Sequence, residues 1–247
     1  MNTLITLINY FLRLLPGLGL IFLVFIMVKP KGYLRIVIYI FTFILMRDAM
    51  TPLGLWTLGK VNGVVWLRMS SDPLFLVILA INSLCIVFAL NKFDEENRKY
   101  LIWFRKRKLT GIIFGIVGCI IVILPFLVLY RVIDIYERGG IVNSAVILPL
   151  LMFSLFGNLL EETLFRGYVL GIFKKNQRLM VASINTGVIF AFCHIFLAIT
   201  VTDIGFPILL FTLWEGVIAG LIGGKYGIIP AAITHGGAIF ILSSGLI

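Results

Sequence analysis

Charge is what this chain has least of. Of its 247 residues only 13% are Asp, Glu, Lys or Arg, roughly half the share of a soluble domain, about 25%. Together with an apolar content of 61%, that shortage excludes a soluble globule and a disordered chain alike. Cysteine is scarce too. Cys85, Cys119 and Cys193 each lie inside an apolar run and form no C-x-x-C pair, which argues against a disulfide framework or a cysteine-rich metal site. Histidine occurs twice, as His194 and His235. The serine-hydrolase elbow G-x-S-x-G and the zinc-peptidase H-E-x-x-H are both missing, and no pair of aspartates falls within an apolar run. The amino terminus lacks a basic n-region and an A-x-A-like cleavage site, so the run Ile5–Val28 is read as a retained helix rather than a cleaved signal.

Long apolar runs, by contrast, fill the chain. Mean hydropathy is +1.11, and the runs fall at about 5–28, 33–46, 73–90, 110–130, 144–172, 179–199, 205–222 and 228–246. A membrane helix takes about 20 such residues. The expectation is an all-α, polytopic membrane helical bundle of about eight transmembrane helices, with little mass outside the bilayer. The second run is short for a span. The mixed stretch after it, 47–72, is apolar enough to lie in the interface or re-enter, while Pro52, Gly54, Gly59 and Gly63 argue against one straight helix there. No short-period repeat, low-complexity tract or long linker interrupts the chain. The reading divides it into residues 1–108, amino-terminal helices with a basic loop, and residues 109–247, a helical core.

The little charge present is unbalanced: 21 Lys and Arg against 11 Asp and Glu, a net +10. In a membrane protein such an excess belongs to cytoplasmic loops and their anionic lipid rather than to nucleic acid, so no nucleic-acid partner is expected. Alternate connectors divide the cations unevenly. One side receives Lys29, Lys31, Arg35, Lys92, Arg98, Lys99, Arg105, Lys106, Arg107, Lys108, Lys174, Lys175, Arg178 and Lys225. The other receives Arg47, Lys60, Arg68, Arg131 and Arg138. Fourteen against five makes the first side cytoplasmic and sends both termini away from it. If the second run does not span, the carboxyl terminus keeps its side and the amino terminus flips.

Ionisable residues within spans cost about 2.5–3.5 kcal/mol each on insertion scales, so each needs a reason. They gather in the carboxyl-terminal half: Glu161, Glu162 and Arg166 in GNLLEETLFRGYVLG, His194 in FAFCHIF, Glu215 in LWEGVIAG and His235 in ITHGGAIF. Glu162 and Arg166 stand i, i+4 with the acid first, the favourable order for a helical ion pair. Glu161 projects about 100° further round the helix and is free to face another one. All three side chains as one structural charge cluster is the plainer alternative, but neutralising a single Arg needs no second adjacent acid. Depth is an independent guide. Glu161 lies 13 residues from Lys174, His194 16 from Arg178 and His235 10 from Lys225, or about 20, 24 and 15 Å along their helices. Three helices thus place one carboxylate and two imidazoles in one membrane layer.

Such a set suits hydrolysis. A carboxylate held out of bulk water can activate a water molecule near neutral pH. One histidine can share the proton and pass it to the leaving amine, and a second can donate to the oxyanion of a tetrahedral intermediate. Glu161, His194 and His235 as a two-His, one-Glu zinc site is an alternative donor set. Proton transport is another, though no inverted repeat carries a second copy of the cluster. The many glycines nearby fit close helix packing.

These residues resemble the CAAX-protease and bacteriocin-processing (CPBP, Abi) membrane peptidases, to which the prenyl-protein-processing Rce-type endopeptidases belong. The family's E-E-x-x-x-R matches Glu161-Glu162-Thr163-Leu164-Phe165-Arg166, and its F-x-x-x-H matches Phe190 to His194. Its last motif, His followed four residues on by Asn or Asp, is met by His235 but has Ile239 at the second position. The resemblance covers about 145–245. It implies an intramembrane glutamate endopeptidase acting on a peptide or protein at the membrane, with no metal or other cofactor. In that scheme Glu161 and His194 activate water, Glu162 and Arg166 support them, and His235 helps form the oxyanion hole. Ile239 removes one expected donor, for which Asn158 or Asn185 would have to substitute. The family also contains bacteriocin self-immunity proteins, and a non-catalytic interaction protein on the same scaffold is the alternative reading. Composition rich in Ile, Phe and Lys points to a bacterial cell membrane.

Overall fold

The computed structural model describes residues 3–105, 107–202 and 204–247, so Lys106 of the basic connector lies outside the described residues. Every apolar run becomes a helix: α1 (Thr3–Met27), α2 (Gly32–Met50), α3 (Pro73–Phe93), α4 (Lys108–Leu129), α5 (Ser144–Glu162), α6 (Leu170–Phe173), α7 (Leu179–Phe192), α8 (Phe206–Tyr226) and α9 (Ile228–Ser244). A π-helical stretch, Thr163–Val169, joins α5 to α6 as one apolar rod, Ser144–Phe173. Six of the described rods are long and apolar enough to cross a membrane, and α7 and α9 are shorter apolar helices. This is a multi-pass helical membrane protein.

The short second run extends beyond its apolar core. Arg47, Asp48 and Met50 remain in α2, and a 3-10 turn carries the rod to Leu53. The mixed stretch after it forms no re-entrant helix. Trp56–Val61 (β1) and Val64–Met69 (β2) pair antiparallel as a hairpin, with Val61 opposite Val64. The tip residues Asn62 and Gly63 have φ of 50° and 80°, the left-handed conformation that a two-residue type I′ turn requires. Local chemistry also starts the helices on either side of the bundle's middle. Asp72 accepts from the Phe75 amide at 3.1 Å ahead of α3, and Asn143 accepts from the Ala145 amide at 2.9 Å ahead of α5.

Connectors meet at two opposite ends. At one end Arg35 pairs with Asp94 at 3.1 Å, the Arg105 amide donates to the Tyr226 carbonyl, and Lys174 Nζ donates to the Gly224 carbonyl at 2.6 Å, its amine held below the usual range by burial. At the other end the hairpin packs on the carboxyl-terminal segment. Arg68 donates to the Gly140 and Leu242 carbonyls at 2.9 and 3.0 Å, Arg138 to the Ile247 carbonyl at 3.0 Å, and Tyr130 Oη to the Val65 carbonyl at 2.8 Å.

Two glycines show how closely backbones approach here. Gly227 reverses the chain between α8 and α9 with φ of 114°, and a Cβ there would stand 2.5 Å from the Trp103 carbonyl oxygen. On α4 a Cβ at Gly115 would lie 2.8 Å from the Pro230 carbonyl oxygen, so α4 and α9 touch backbone to backbone. That close crossing holds α9, and with it His235, against the bundle's interior.

Candidate active site

A cavity of about 690 Å³ opens under the hairpin. Its walls include Arg47, Asn158, Glu161, Cys193, His194, Glu215, His235 and Ile239. Three of the five residues singled out by motif, Glu161, His194 and His235, therefore share one cavity. Glu162 and Arg166 are not among its lining residues. They sit behind the wall, fully or almost fully buried.

The two adjacent acids take separate partners. Arg47 Nη2 donates to Glu161 Oε1 at 2.6 Å. Arg166 Nη1 stands 3.1 Å from Glu162 Oε1 as an ion pair, while its Nη2 donates to the Gly216 carbonyl at 3.0 Å. Each guanidinium thus offsets much of the cost of burying a carboxylate. By sequence Arg47 reads as a cation of the connector following the second run. The structure corrects this: the residue is buried within α2, and its guanidinium lies between the Phe43 and Phe153 rings, 5.1 and 5.5 Å from their centroids. The partner is 114 positions away, beyond any local spacing rule.

His194 does not stand inside a helix. α7 ends at Phe192, and the His194 amide bonds back to the Ala191 carbonyl in a tight turn. Its Nδ1–H donates to the Phe190 carbonyl at 2.8 Å. A carbonyl only accepts, so this contact assigns the ring proton to Nδ1 and turns Nε2 toward Glu161. Nε2 is 3.9 Å from Glu161 Oε2, too far for a direct hydrogen bond and within reach of a bridging water. Among the described residues Glu161 Oε2 has no hydrogen-bond partner.

His235 lies between two acids. Its Nδ1–H donates to Glu162 Oε1 at 2.9 Å, and its Nε2 is 3.4 Å from Glu215 Oε2. The edge of Phe190 meets the His235 ring at 5.5 Å, and Phe190 also packs on the His194 ring at 4.4 Å. One buried aromatic thus spaces the two imidazoles. In the sequence Glu215 is only an ionisable residue in an apolar helix; its cavity position beside His235 adds it to the site. Of the two substitutes considered for the missing amide, Asn158 lines the cavity and donates to the Ser154 carbonyl at 2.6 Å. Asn185 points elsewhere and bonds Gln177 at 3.1 Å. Ile239 is on the cavity wall. As to the zinc alternative, no group of three His, Cys, Asp or Glu among the described residues is arranged to hold a metal ion.

A π-helical stretch begins directly after Glu162. Widening the helix there lets Arg166 reach both Glu162 on its own rod and Gly216 on α8. The family model for Rce1-like proteins, described as type II CAAX prenyl endopeptidases, matches residues 143–241. That interval contains all five motif residues, with Glu215 and Ile239 as well. No curated protein and no solved structure matches the chain.

Proposed function

We propose that the chain is a membrane endopeptidase of the CAAX-protease type, the family whose model matches residues 143–241, and that Glu161 does its chemistry by activating water. Arg47 fixes one carboxylate oxygen, leaving Oε2 directed at the cavity and at His194 Nε2. A water between those atoms loses its proton to Glu161 as its oxygen attacks the peptide carbonyl carbon. The new C–O bond makes a tetrahedral oxyanion. Collapse of that intermediate breaks the C–N bond, and the proton passes by way of His194 to the leaving amine. His235, an imidazolium with one ring N–H on Glu162 and the other facing Glu215, serves as an oxyanion donor through Nε2–H, whose hydrogen bond moves from Glu215 to the substrate oxygen. Glu162 and Arg166 position His235 and the rod that carries Glu161. The substrate is a peptide or protein segment at the membrane of a bacterial cell, and the reaction as drawn uses no metal.

The unpartnered, buried Oε2 of Glu161 carries this reading, because a carboxylate oxygen inside a protein is almost always satisfied by a protein group or by water. The test is digestion of a peptide pool by purified protein in detergent, with new termini identified by mass spectrometry. Wild type should generate new termini, and His194→Ala should lose at least about 100-fold in rate. Equal cleavage by His194→Ala would remove His194 from the mechanism.

Ile239 favours a second reading. An apolar side chain on the cavity wall, at the position of the family's Asn or Asp, suits a protein that binds a peptide without cutting it, as in bacteriocin immunity. Protection that survives in a Glu161→Gln/His194→Ala double variant would select this reading over the peptidase.

A further inference from the structure

The two ends of the bundle differ in charge as well as in architecture. With Arg47 moved from connector to core, the hairpin end retains four cations, Lys60, Arg68, Arg131 and Arg138. It has acids in matching number, with Asp48, Asp72, Asp134 and Glu137 among them. Among the described residues the opposite end keeps thirteen Lys and Arg against three acids, Asp94, Glu95 and Glu96. Connectors of this length orient by their cations, and acids contribute little. The basic end is the cytoplasmic one.

The cavity opens at the other end and reaches inward to Glu161 and His235 at mid-depth. Its walls come from the hairpin with its tip at Asn62 and Gly63, the end of α4 at Leu129 with the following Tyr130, and the first turn of α8 at Pro207 and Ile208. No residue of the basic connectors lines it. Trp56, Leu58 and Trp66 of the hairpin cover the space leading to Glu161.

We infer that the site is served from the extracytoplasmic face of the membrane, and that its substrate is a peptide segment with apolar residues displayed on that face. A tail presented in the cytosol would meet the closed, basic end. The sidedness rests on charge and cavity placement, while the statement that the segment is cut rests on the peptidase reading above. The carboxyl-terminal half orients itself independently of the amino-terminal helices, since each of its connectors alternates between a basic and a cation-poor end.

Single-cysteine labelling of the full chain in intact cells tests this. Asn62 and Lys99 are both exposed, at opposite ends. Asn62→Cys and Lys99→Cys are each treated with a membrane-impermeant maleimide, and modification at each position is read by mass spectrometry so that the native cysteines remain. Position 62 should be modified in intact cells, and position 99 only after permeabilisation, with at least a tenfold difference in extent. Any other pattern overturns the inference. A second arm adds an impermeant quenched-fluorescent peptide with apolar residues at its centre to sealed vesicles of each orientation. Cleavage in right-side-out vesicles, and in inverted ones only after permeabilisation, supports the inference; the reverse overturns it. If labelling follows expectation while neither orientation cleaves the peptide, the peptidase reading fails and the sidedness stands.

Discussion

Glu161 and Glu162 are neighbours in the chain yet answer to different cations, and each pairing has a measurable consequence. Removing the Arg47 guanidinium leaves a buried carboxylate without compensation, which typically costs about 3–5 kcal/mol. Arg47→Met is therefore expected to lower thermal stability in detergent by that amount. The double variant Arg47→Met/Glu161→Gln should recover most of the loss, because no unpaired charge remains. Additive losses in the double variant would show that the pair is not coupled. Ile239 permits the opposite kind of experiment, a gain. One oxyanion donor is worth about 100- to 1000-fold in rate, and Ile239 stands on the wall that His235 shares. Ile239→Asn is expected to raise kcat at least tenfold without changing KM to the same degree. An unchanged kcat would remove position 239 from the oxyanion's surroundings.

At the scale of elements, the helices were legible because a 20-residue apolar run has few alternatives in a membrane. The hairpin was not, although its signal was present: Asn62-Gly63 lies between segments rich in Val, Trp and Leu, the strongest short-range mark of a two-residue turn. Hydropathy masked it, since Trp56, Val64, Val65 and Trp66 also suit an interfacial helix. His194 likewise reads as part of a span, because the run 179–199 is predominantly apolar; composition does not record that α7 stops at Phe192. The hairpin's hold on the cavity depends on Arg68, whose buried guanidinium bonds the Leu67, Gly140 and Leu242 carbonyls. Arg68→Ala should loosen that cover and raise KM several-fold while kcat changes less than twofold, measured by peptide turnover at saturating and limiting substrate. The α4–α9 crossing has less tolerance. Gly115→Leu drives a side chain against the Pro230 backbone and should cost about 3 kcal/mol, the upper end of the overpacking range, read as an early unfolding midpoint.

For the molecule as a whole, the fold is an insulator with one polar seam. Charged groups concentrate at the two ends and along the seam where α2, α5, α8 and α9 bring Arg47, Glu161, Glu162, Glu215 and His235 together. The motif residues stood out in the sequence because a membrane span makes every ionisable side chain conspicuous. Their partners did not, since nothing in a linear chain says which rods will touch. Arg47 resembled a loop cation at the end of a run, and Glu215 had no motif around it. The structure supplies those contacts, and with them an arrangement in which Glu161 Oε2, its twin bonded to Arg47, faces His194 Nε2 across 3.9 Å.

Peptide hydrolysis by Glu161→Gln, measured beside wild type at matched unfolding temperature, bears on that oxygen most directly. The amide keeps the size of the carboxylate but cannot take a proton from water, so hydrolysis should fall by at least about 100-fold while the variant still inserts and unfolds as wild type does. A Glu161→Gln protein that cuts at the wild-type rate would contradict the account.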